Sequence, residues 1–466
     1  MMRCCFITLG CRVNQYESDA MAELLTQAGF EITENPAEAD VCIVNTCTVT
    51  NIADRKSRQM LSKAHKLNPN AKLIAAGCFA QRSPEAAAKL EGVYAVLGSA
   101  DKNRVVELVK SIAEGRENEP KSEKCNCGEK ELCDCCGGMK KFEQPENSEC
   151  SGNAAGGAKI LVRDVMHEHE FEEMSAVHEG RTRAYLKIQD GCNMFCTYCA
   201  IPYARGGLRS RSIESVRAEA EKLNNEGFSE VVLTGIHLMS YGRDLRSGTD
   251  IRDAVRCFDG LNNIKRIRFG SLEPHMMTDE IIAELADNKR ICRQFHLSLQ
   301  SGSDTVLERM RRGYTSGQYF ELCQKLRRAF GGETAVTTDI IAGFPGETEE
   351  EHLETIEFMR KVGFAKVHIF PYSRRSGTKA DAMPGQLSNA EKSRRALLCG
   401  FSYTIRSSVL RFPRAWRMLQ AGLQNPPQTG RSQAARRFKK QSDDYLDSLA
   451  ALIASIIIGT TLNRSP

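Results

Sequence analysis

Three cysteines in the segment CNMFCTYC have the types and spacing of ligands for an iron–sulfur cluster. They are Cys192, Cys196 and Cys199, and they follow directly on a strand-like segment. Structural zinc usually takes four ligands in paired CxxC motifs, whereas this loop supplies three thiolates. A zinc knuckle or a purely structural loop is the alternative interpretation. Three ligands in one loop favour a 4Fe-4S cluster in which one iron atom stays open.

An open iron atom of this kind can bind the amino and carboxylate groups of S-adenosylmethionine. Reductive cleavage of that cofactor then generates a carbon radical. The CNMFCTYC loop therefore predicts radical chemistry. The electron has to come from outside, so we expect a reductase such as flavodoxin or ferredoxin as a partner.

A second set of three cysteines is dispersed over the first eighty residues. Cys11, Cys47 and Cys78 each follow a strand-like segment: RCCFITLG, VCIVNT and KLIAAG. Helix-like segments at 17–29 and 51–67 separate these strands, and such a β-α-β-α-β order predicts an open parallel α/β sheet. The carboxyl ends of parallel strands share one edge of a sheet, where ligands bind. We expect the three cysteines to meet at that edge.

The composition is that of an ordinary globular protein with many cysteines. The chain has 466 residues, of which 26% are charged and 41% hydrophobic, a formal net charge of +5 and 19 cysteines. These values exclude a wholly disordered, collagen-like or multi-span membrane chain. The chain opens without a secretion-signal pattern, and its longest apolar run, 449–458, is shorter than the roughly 20 residues of a membrane span. We expect a reduced, cytoplasmic protein, monomeric and without a membrane partner, whose cysteines bind metal or catalyse.

Alternation of strands and helices returns at residue 183. Six strand-like segments follow: AYLKIQ, EVVLTG, KRIRFGS, QFHLSLQ, AVTTDIIAG and AKVHIFPYS. Six strands are too few for a closed eight-stranded barrel, so the sequence predicts a partial (β/α)6 TIM-like barrel. Barrels of this kind hold their ligands at the C-terminal ends of the strands.

Polar residues at these strand ends and beside the cluster loop are candidates for binding S-adenosylmethionine. The candidates are Tyr198, Thr234, Gly235, Ser271, Glu273, Gln300, Ser301, Arg311 and Asp339. Arg311 has a guanidinium fork that suits the cofactor carboxylate, although a surface arginine is the alternative. Tyr198 would lie near the adenine or pack as a loop aromatic. Asp339 would take ribose hydroxyls or cap the backbone.

The chain divides into four predicted segments. They are an N-terminal α/β domain at 1–118, a linker with a Cys-rich insert at 119–177, a core barrel at 178–400 and a basic tail at 401–466. The insert holds Cys125, Cys127, Cys133, Cys135, Cys136 and Cys150. Paired CxxC spacing is absent there, so a third metal site and a flexible, oxidisable segment both stay open. Residues 401–440 have nine Arg or Lys and no Asp or Glu, which suits either nucleic-acid phosphates or a solvated tail.

Taken together, these motifs resemble the radical-SAM methylthiotransferases. The resemblance is carried by TLGCRVNQYES, NTCTVT and AAGCFAQ in combination with CNMFCTYCAIPYARG. Four further segments are similar to the branch that modifies threonylcarbamoyladenosine at position 37 of transfer RNA: LTGIHLMSYG, HLSLQSGSDTVLERMRR, DIIAGFPGETEEE and FPYSRRSGTKA. The resemblance covers about 1–118 and 178–400, and its combined motifs are highly specific.

The resemblance implies two 4Fe-4S clusters with separate roles. Cys192, Cys196 and Cys199 would hold the radical-generating cluster, and the dispersed triad would hold an auxiliary cluster. In the family the auxiliary cluster carries the sulfur, which one S-adenosylmethionine methylates. A second S-adenosylmethionine gives the radical that activates C2 of the adenine, so two are used per turnover. The C2–H bond is too weakly acidic for a side-chain base, which agrees with a radical route.

Other substrates and a non-catalytic role are the alternatives. Relatives in the family act on isopentenyladenosine 37 of the anticodon stem-loop or on an aspartate of a ribosomal protein, but the residues GCRVNQYES favour threonylcarbamoyladenosine. A catalytically silent protein that binds RNA or senses iron–sulfur status is the alternative from another class.

The C-terminal segment departs from the family, whose members usually end in a small RNA-binding β-barrel called the TRAM domain. The stretch FSYTIRSSVLRFPRAWRMLQ lacks the alternating strands such a barrel needs. Two interpretations stay open: the basic tail replaces some of the phosphate contacts, or a shifted reading frame has altered the terminus.

Overall fold

The computed structural model describes residues 1–115, 157–176 and 181–411, of which 401–411 are described as backbone only. The cysteines of the predicted insert and the predicted basic tail beyond residue 411 lie outside this range. Within it, an N-terminal α/β domain precedes a partial barrel, which confirms the predicted fold class.

Parallel strands build the N-terminal sheet. In the described residues they are β1 (Arg3–Thr8), β2 (Glu31–Ile32), β3 (Val41–Thr46), β4 (Lys72–Gly77), β5 (Val93–Leu97) and β6 (Lys159–Leu161). Their spatial order is β2-β1-β3-β4-β5-β6, with every neighbouring pair parallel. The helices are α1 (Arg12–Gln27), α2 (Asn51–Leu67), α3 (Cys78–Arg82), α4 (Pro84–Ala88) and α5 (Val105–Ala113). Strand β3 is buried along its whole length, because apolar cores lie on both faces of the sheet.

The outer strand β6 lies inside the segment predicted as a linker. Residues 159–161 pair with β5, and Ala158 belongs to the core of the N-terminal domain. The sheet therefore resumes after the insert, and 119–177 is not a linker along its whole length. A strand of three residues is too short for periodicity to reveal it, so only its pairing identifies it.

The barrel strands follow in the expected positions. They are β7 (Ala184–Lys187), β8 (Gln189–Asp190), β9 (Arg209–Ser210), β10 (Glu230–Thr234), β11 (Arg266–Phe269), β12 (Ser271–Leu272), β13 (Gln294–Leu297), β14 (Ala335–Ala342) and β15 (Lys366–Pro371). The parallel strands are ordered β7-β10-β11 and β12-β13-β14-β15, and β8 pairs antiparallel with β9. Each of the six predicted strand segments is confirmed, and KRIRFGS is interrupted at Gly270, between β11 and β12.

Helices of the second half flank these strands. They are α6 (Ile201–Arg205), α7 (Ile213–Asn225), α8 (Ile251–Arg256), α9 (Asp279–Asp287), α10 (Asp304–Arg309), α11 (Ser316–Phe330), α12 (Glu349–Val362) and α13 (Asn389–Arg411). Helix α12 shows why they begin where they do. Thr348 and Glu351 form a reciprocal capping box, and the helix ends at Gly363 in the left-handed conformation. No helix of the described segments is long and apolar enough to cross a membrane.

The strand pattern gives the barrel a polar inner face. On β14, Val336, Thr338 and Ile340 are buried, whereas Thr337 and Asp339 between them are partly exposed. Side chains alternate between the two faces of a strand, so the apolar set packs under the helices and the polar set faces the lumen. The lumen therefore offers hydrogen-bonding groups to a polar ligand.

Candidate functional site

The three dispersed cysteines follow neighbouring strands of the N-terminal sheet. Cys11 comes after β1, Cys47 after β3 and Cys78 after β4. The strands are in register there: Thr8 lies opposite Asn45, and Thr46 opposite Gly77. The carboxyl ends of these strands therefore lie at the same edge of the sheet, as the topology predicts, and the three cysteines occupy that edge. Cys47 and Cys78 are buried, and Cys11 is exposed.

The backbone before Cys11 lies directly against Cys47. A Cβ placed on Gly10 would lie 2.9 Å from both Cβ and Sγ of Cys47, and Gly10 has a φ of +102°. Only glycine adopts this conformation without strain and leaves room for the sulfur. Glycine is thus required before Cys11, because Cys11 and Cys47 lie at the same edge of the sheet.

Helix α2 holds the backbone of Cys47 through two hydrogen bonds. The Cys47 N–H donates to Oγ of Ser57 over 3.1 Å, and that hydroxyl donates to the Cys47 carbonyl over 3.0 Å. Ser57 is buried. Both backbone polar groups of Cys47 are therefore satisfied, which holds its side chain at the sheet edge.

An arginine from the barrel reaches into this cysteine site. Arg205, six residues after Cys199, is fully buried, and its Nε donates to Sγ of Cys78 over 3.3 Å. Its Nη2 donates to Oδ1 of Asn14 over 2.7 Å, and the Cys11 thiol donates to the same oxygen over 3.8 Å. One guanidinium therefore links the loop of the CNMFCTYC triad to the dispersed triad.

Arg205 belongs to a cluster of buried charges between the two domains. Its members are Glu17, Lys102, Lys187, Asp190, Arg205 and Arg209, all nearly inaccessible to solvent. The carboxylate of Glu17 bonds Lys187 and Arg205 at 2.7 Å each, and Lys187 also bonds Asp190 at 2.6 Å. Although burial opposes ionisation, these cations hold the pKa of Glu17 and of Asp190 well below the ordinary range.

The cluster carries more positive than negative charge. Among its six members four cations face two carboxylates, and one of the cations, Arg205, contacts Cys78. Buried charge without compensation is costly, so an anionic group at Cys78 would complete this arrangement. A thiolate that binds iron has the required sign.

The CNMFCTYC loop is held by its own backbone. The Cys199 N–H donates to the Cys196 carbonyl at 2.9 Å. The N–H groups of Met194 and Ile201 point at Sγ of Cys192 and of Cys199, at 3.5 and 3.4 Å. Hydrogen bonds to the sulfurs are a means by which proteins stabilise and tune iron–sulfur clusters.

A second buried arginine approaches this loop. Arg312 places Nη1 3.1 Å from Sγ of Cys196, and its Nη2 bonds both carboxylate oxygens of Glu273 at 2.6 and 2.7 Å. Burial opposes ionisation of Glu273, but the hydrogen bond from His275 and the charge of Arg312 hold its pKa below the ordinary value. The pair is therefore ionised, with its guanidinium on the cysteine loop.

Burial opposes ionisation of the cysteine thiols themselves. It raises the pKa of Cys47 and of Cys192 to about 11 and that of Cys199 to about 12. A positive metal centre is what would offset this penalty.

Each triad offers three cysteine thiols, a donor set that fits an iron–sulfur cluster. Within residues 1–115, 157–176 and 181–411, no three His, Cys, Asp or Glu side chains converge on one point to hold a single metal ion. A cluster differs, because each thiolate binds its own iron atom. Arg312 and two backbone N–H groups are directed at sulfurs of the CNMFCTYC loop, and Arg205 is directed at Cys78 of the dispersed triad, which agrees with thiolate ligands in both triads.

Several predicted cofactor residues do lie at the C-terminal ends of the barrel strands. Thr234 is buried at the end of β10, and a Cβ on Gly235 would lie 2.9 Å from Oε1 of Gln189. Glu273 follows β12 and bonds Arg312 as described above. Asp339 lies on the lumen face of β14 with Oδ2 3.2 Å from Nε2 of His296.

The other predicted residues have different surroundings. Ser271 is exposed at the start of β12. Gln300 has a φ of +76°, and its backbone pairs with Asp339 and Ile341. Ser301 is buried with Oγ 3.1 Å from Oγ1 of Thr355 on α12, so it fixes that helix to the barrel.

Arg311 and Tyr198 are the last two predicted cofactor residues. Arg311 is exposed with a φ of +57°, whereas the next residue, Arg312, is the arginine that reaches the cysteine loop. Tyr198 packs with an apolar cluster that includes Met310, Phe344 and Tyr372. The predicted position of Tyr198 near the cofactor stays a prediction.

Sequence reasoning missed four residues that shape the site. They are Gln189, Arg205, His237 and Arg312. Gln189 accepts a hydrogen bond from the His237 N–H at 2.6 Å and donates to the Gly191 carbonyl at 2.7 Å, so it couples the end of β10 to the cysteine loop. The proximity of Gln189 and Arg205 to CNMFCTYC in the sequence was the available signal.

Comparison with known families agrees with this geometry. Residues 186–359 match the Radical SAM superfamily, and residues 3–98 match a family described as Uncharacterized protein family UPF0004. The first match contains the CNMFCTYC loop, and the second contains all three dispersed cysteines.

Curated relatives cover most of the chain. The chain is 39% identical to the threonylcarbamoyladenosine tRNA methylthiotransferase MtaB of Bacillus subtilis, over 84% of this chain and 78% of that protein. It is 35% identical to the protein of the same name from Aquifex aeolicus, over 84% and 86%. The tRNA-2-methylthio-N(6)-dimethylallyladenosine synthase of Moorella thermoacetica is 34% identical, over 84% and 80%.

Solved structures show the same fold at low identity. The radical S-adenosylmethionine methyltransferase TsrM from Kitasatospora setae superposes with a TM-score of 0.54 at 17% identity, over 80% of this chain and 74% of that chain. The cobalamin-dependent S-adenosylmethionine radical enzyme OxsB gives 0.51 at 11% identity, over 86% and 55%. The likeness concerns the fold alone.

Proposed function

Because the chain belongs to the radical-SAM tRNA methylthiotransferase family, we propose that it converts N6-threonylcarbamoyladenosine at position 37 of tRNA to its 2-methylthio derivative. The observation that carries the choice of substrate is the 39% identity to a relative named for threonylcarbamoyladenosine, over 84% of this chain. The relative named for dimethylallyladenosine, at 34%, makes that base the second candidate.

The proposal assigns one 4Fe-4S cluster to each triad. When bound, the cluster at Cys192, Cys196 and Cys199 supplies the electron that cleaves S-adenosylmethionine, and the auxiliary cluster supplies the sulfur. Two molecules of S-adenosylmethionine are used per turnover, one for the radical and one for the methyl group. The electron comes from a reductase such as flavodoxin or ferredoxin. We place this reaction in the cytoplasm, where tRNA is modified, with the protein as a monomer.

The residues around the first triad have two tasks in this proposal. Arg312 places a fixed positive charge on Cys196 and keeps Glu273 ionised. Gln189 fixes the backbone at His237, so the end of β10 keeps its position relative to the cysteine loop. Thr234, Gly235, Glu273 and Asp339 then define the end of the lumen where we place the cofactor. Arg311 is exposed and does not reach the cysteine loop, whereas Arg312 contacts Cys196 and Glu273.

The second triad is prepared for an anionic group. Arg205 donates to Cys78 from a fully buried position, and the surrounding charge cluster is positive by two. Cys11 is the exposed member, so this edge of the sheet is open on the Cys11 side. We propose that the target adenine approaches there.

Nucleoside mass spectrometry tests the function. The tRNA of a bacterial strain that lacks this activity is digested and compared with and without expression of the full chain. We expect 2-methylthio-N6-threonylcarbamoyladenosine to appear, and the Cys196→Ala and Cys47→Ala variants to abolish it. Appearance of the 2-methylthio derivative of isopentenyladenosine instead would support the second candidate. Absence of both products, with soluble and iron-loaded protein, would refute the proposal.

A further inference from the structure

Helix α2 carries a continuous stripe of positive charge on its outer face. The stripe consists of Arg55, Arg58, Lys63 and Lys66, with Gln59 and Ser62 between them. All six residues are exposed and line one shallow groove. At 100° per residue they share one side of the helix, opposite the buried side chains Ser57, Leu61 and Ala64.

The acidic partners that usually accompany such a helix are missing from this face. Asp54 is the only acidic residue between 51 and 67, and it is bound to Arg375 at 2.8 Å. Among the residues that the structure describes, none of the four basic side chains of the stripe has a carboxylate within 4.0 Å. Like charges three and four residues apart destabilise a helix slightly. Helix stability therefore does not account for the stripe.

Helix α12 shows the ordinary arrangement in the same protein. Its first turn holds Glu349, Glu350 and Glu351 and its last turn Arg360 and Lys361, which complements the helix dipole. Helix α2 also has an acidic residue, Asp54, in its first turn and Lys66 in its last turn, but it adds Arg55 and Arg58 in its second turn, close to its positive end. The contrast favours an external anion as the partner of the α2 stripe.

Two contacts place helix α2 beside the dispersed cysteine triad. The inner face of α2 holds Cys47 through Ser57, as described above. The guanidinium of Arg58 lies 5.7 Å from the centre of the Phe79 ring, and Phe79 follows Cys78 directly. Arg58 of the stripe therefore contacts the residue next to Cys78.

Length and chemistry fit a nucleic-acid backbone. Arg55 to Lys66 spans roughly 16 Å at about 1.5 Å per residue. One strand of duplex DNA has a phosphate every ~3.4 Å along its axis, so the stripe is long enough to contact several successive phosphates of a nucleic-acid strand. Phosphates are contacted by Arg and Lys and also by Ser and Gln side chains, without reading of sequence. The α2 stripe presents all four of these residue types.

We propose that the α2 stripe binds the phosphate backbone of the tRNA substrate and guides its anticodon stem-loop to the dispersed triad. This inference rests on the proposed function, because it assumes tRNA as the substrate. The N-terminal domain would then contribute to RNA binding without recognising the bases.

The test compares two variants of the full chain with equal charge. The stripe variant is Arg55→Gln, Arg58→Gln, Lys63→Gln and Lys66→Gln. The control variant removes four exposed basic residues dispersed elsewhere: Lys89→Gln, Lys110→Gln, Lys289→Gln and Arg328→Gln. The dissociation constant of an anticodon stem-loop RNA that carries threonylcarbamoyladenosine is measured between low and high salt. Thermal unfolding and iron content verify that both variants are intact.

The stripe variant should bind the RNA about tenfold or more weakly near 0.1 M salt, and its slope of log affinity against log salt should fall by roughly 3, since each phosphate contact contributes ~0.7–0.9. The control should change this slope by less than about 1. Equal affinities and slopes for the two variants would overturn the inference.

Two further outcomes separate this inference from its premise. If the wild-type chain forms the methylthiolated nucleoside while the stripe and control variants bind RNA alike, the surface inference fails and the function stands. If the stripe variant binds RNA like the control but loses flavodoxin-driven activity and retains dithionite-driven activity, the surface serves an acidic reductase, which also overturns the inference. Loss of RNA affinity in the stripe variant supports it whether or not product forms.

Discussion

The two cysteine triads are assembled in different ways. Cys192, Cys196 and Cys199 lie in one loop, so local backbone hydrogen bonds suffice to shape it. Cys11, Cys47 and Cys78 come from three loops, and only the parallel sheet brings them together. A buried arginine donates to one sulfur in each site: Arg312 to Cys196 and Arg205 to Cys78.

The difference lies in how each site depends on the rest of the fold. Arg312 pairs with one carboxylate inside the barrel, whereas Arg205 is part of a charge cluster that joins both domains. The loop triad is therefore largely independent of the N-terminal domain. The dispersed triad requires the barrel to supply its arginine.

The largest contrast should come from removing one cysteine of each triad. Cys196→Ala should abolish cleavage of S-adenosylmethionine, because the proposed radical cluster would lose a ligand. Cys47→Ala should retain cleavage and lose the methylthiolated product. Chromatography of 5′-deoxyadenosine together with nucleoside mass spectrometry measures both steps. Product formation by the Cys47 variant would show that the dispersed triad is not the sulfur-transfer site.

Removing the charge of Arg205 should be the next largest effect. Arg205→Gln removes the guanidinium that bonds Glu17, Asn14 and Cys78, and breaking a buried ion pair lowers the free energy of unfolding by about 3–5 kcal/mol. Chemical denaturation measures this loss. Arg205→Lys is the matched variant, since it retains the charge but loses the fork that reaches both Cys78 and Asn14. It should fold, with an altered electron paramagnetic resonance signal from the auxiliary cluster alone; a changed radical-cluster signal would contradict the assignment.

Arg312 and Arg311 form a matched pair for the other triad. Arg312→Gln should lower the rate of S-adenosylmethionine cleavage about 10- to 100-fold, a common effect of losing a group that supports a metal ligand. Arg311→Gln should leave the rate near that of wild type, because Arg311 is exposed. Single-turnover assays with dithionite decide this. Equal losses in the two variants would mean that Arg312 has no special role.

A smaller effect is expected from the glycine that contacts Cys47. Gly10→Ala adds backbone strain of about 1–3 kcal/mol and a Cβ that lies 2.9 Å from the Cys47 sulfur. Gly29→Ala is the control, because Gly29 also has a positive φ, of +88°, with no atom within 4 Å of the added Cβ. Both variants should unfold more easily, and only Gly10→Ala should lose auxiliary iron. Loss of auxiliary iron from both variants would show that backbone strain, and not the contact with Cys47, causes the loss.

These contrasts also mark what the sequence could predict. The positions of Cys11, Cys47 and Cys78 were predictable because each follows a strand of clear pattern, and parallel strands end at a common edge. The role of Arg205 was not predictable from the pattern. Its contact with Cys78 spans 127 residues and depends on how the two domains pack.

The contact of Arg312 with the cysteine loop was also not predictable from the pattern. The chain after α10 turns through a left-handed residue, Arg311 itself, so the side chain directed at the cysteine loop belongs to Arg312. Two adjacent arginines cannot be distinguished by spacing alone. Strand β6 was missed because three residues after the insert carry no periodicity, and pairing with β5 defines it.

The central claim is that the two triads hold two separate clusters, and iron content with Mössbauer spectra tests it most directly. Anaerobically reconstituted wild-type protein should contain about eight iron atoms per chain, all in 4Fe-4S form. The triple alanine variant at Cys11, Cys47 and Cys78 should contain about four, and so should the triple variant at Cys192, Cys196 and Cys199. If the first variant retained the full wild-type content, the dispersed triad would not be a cluster site.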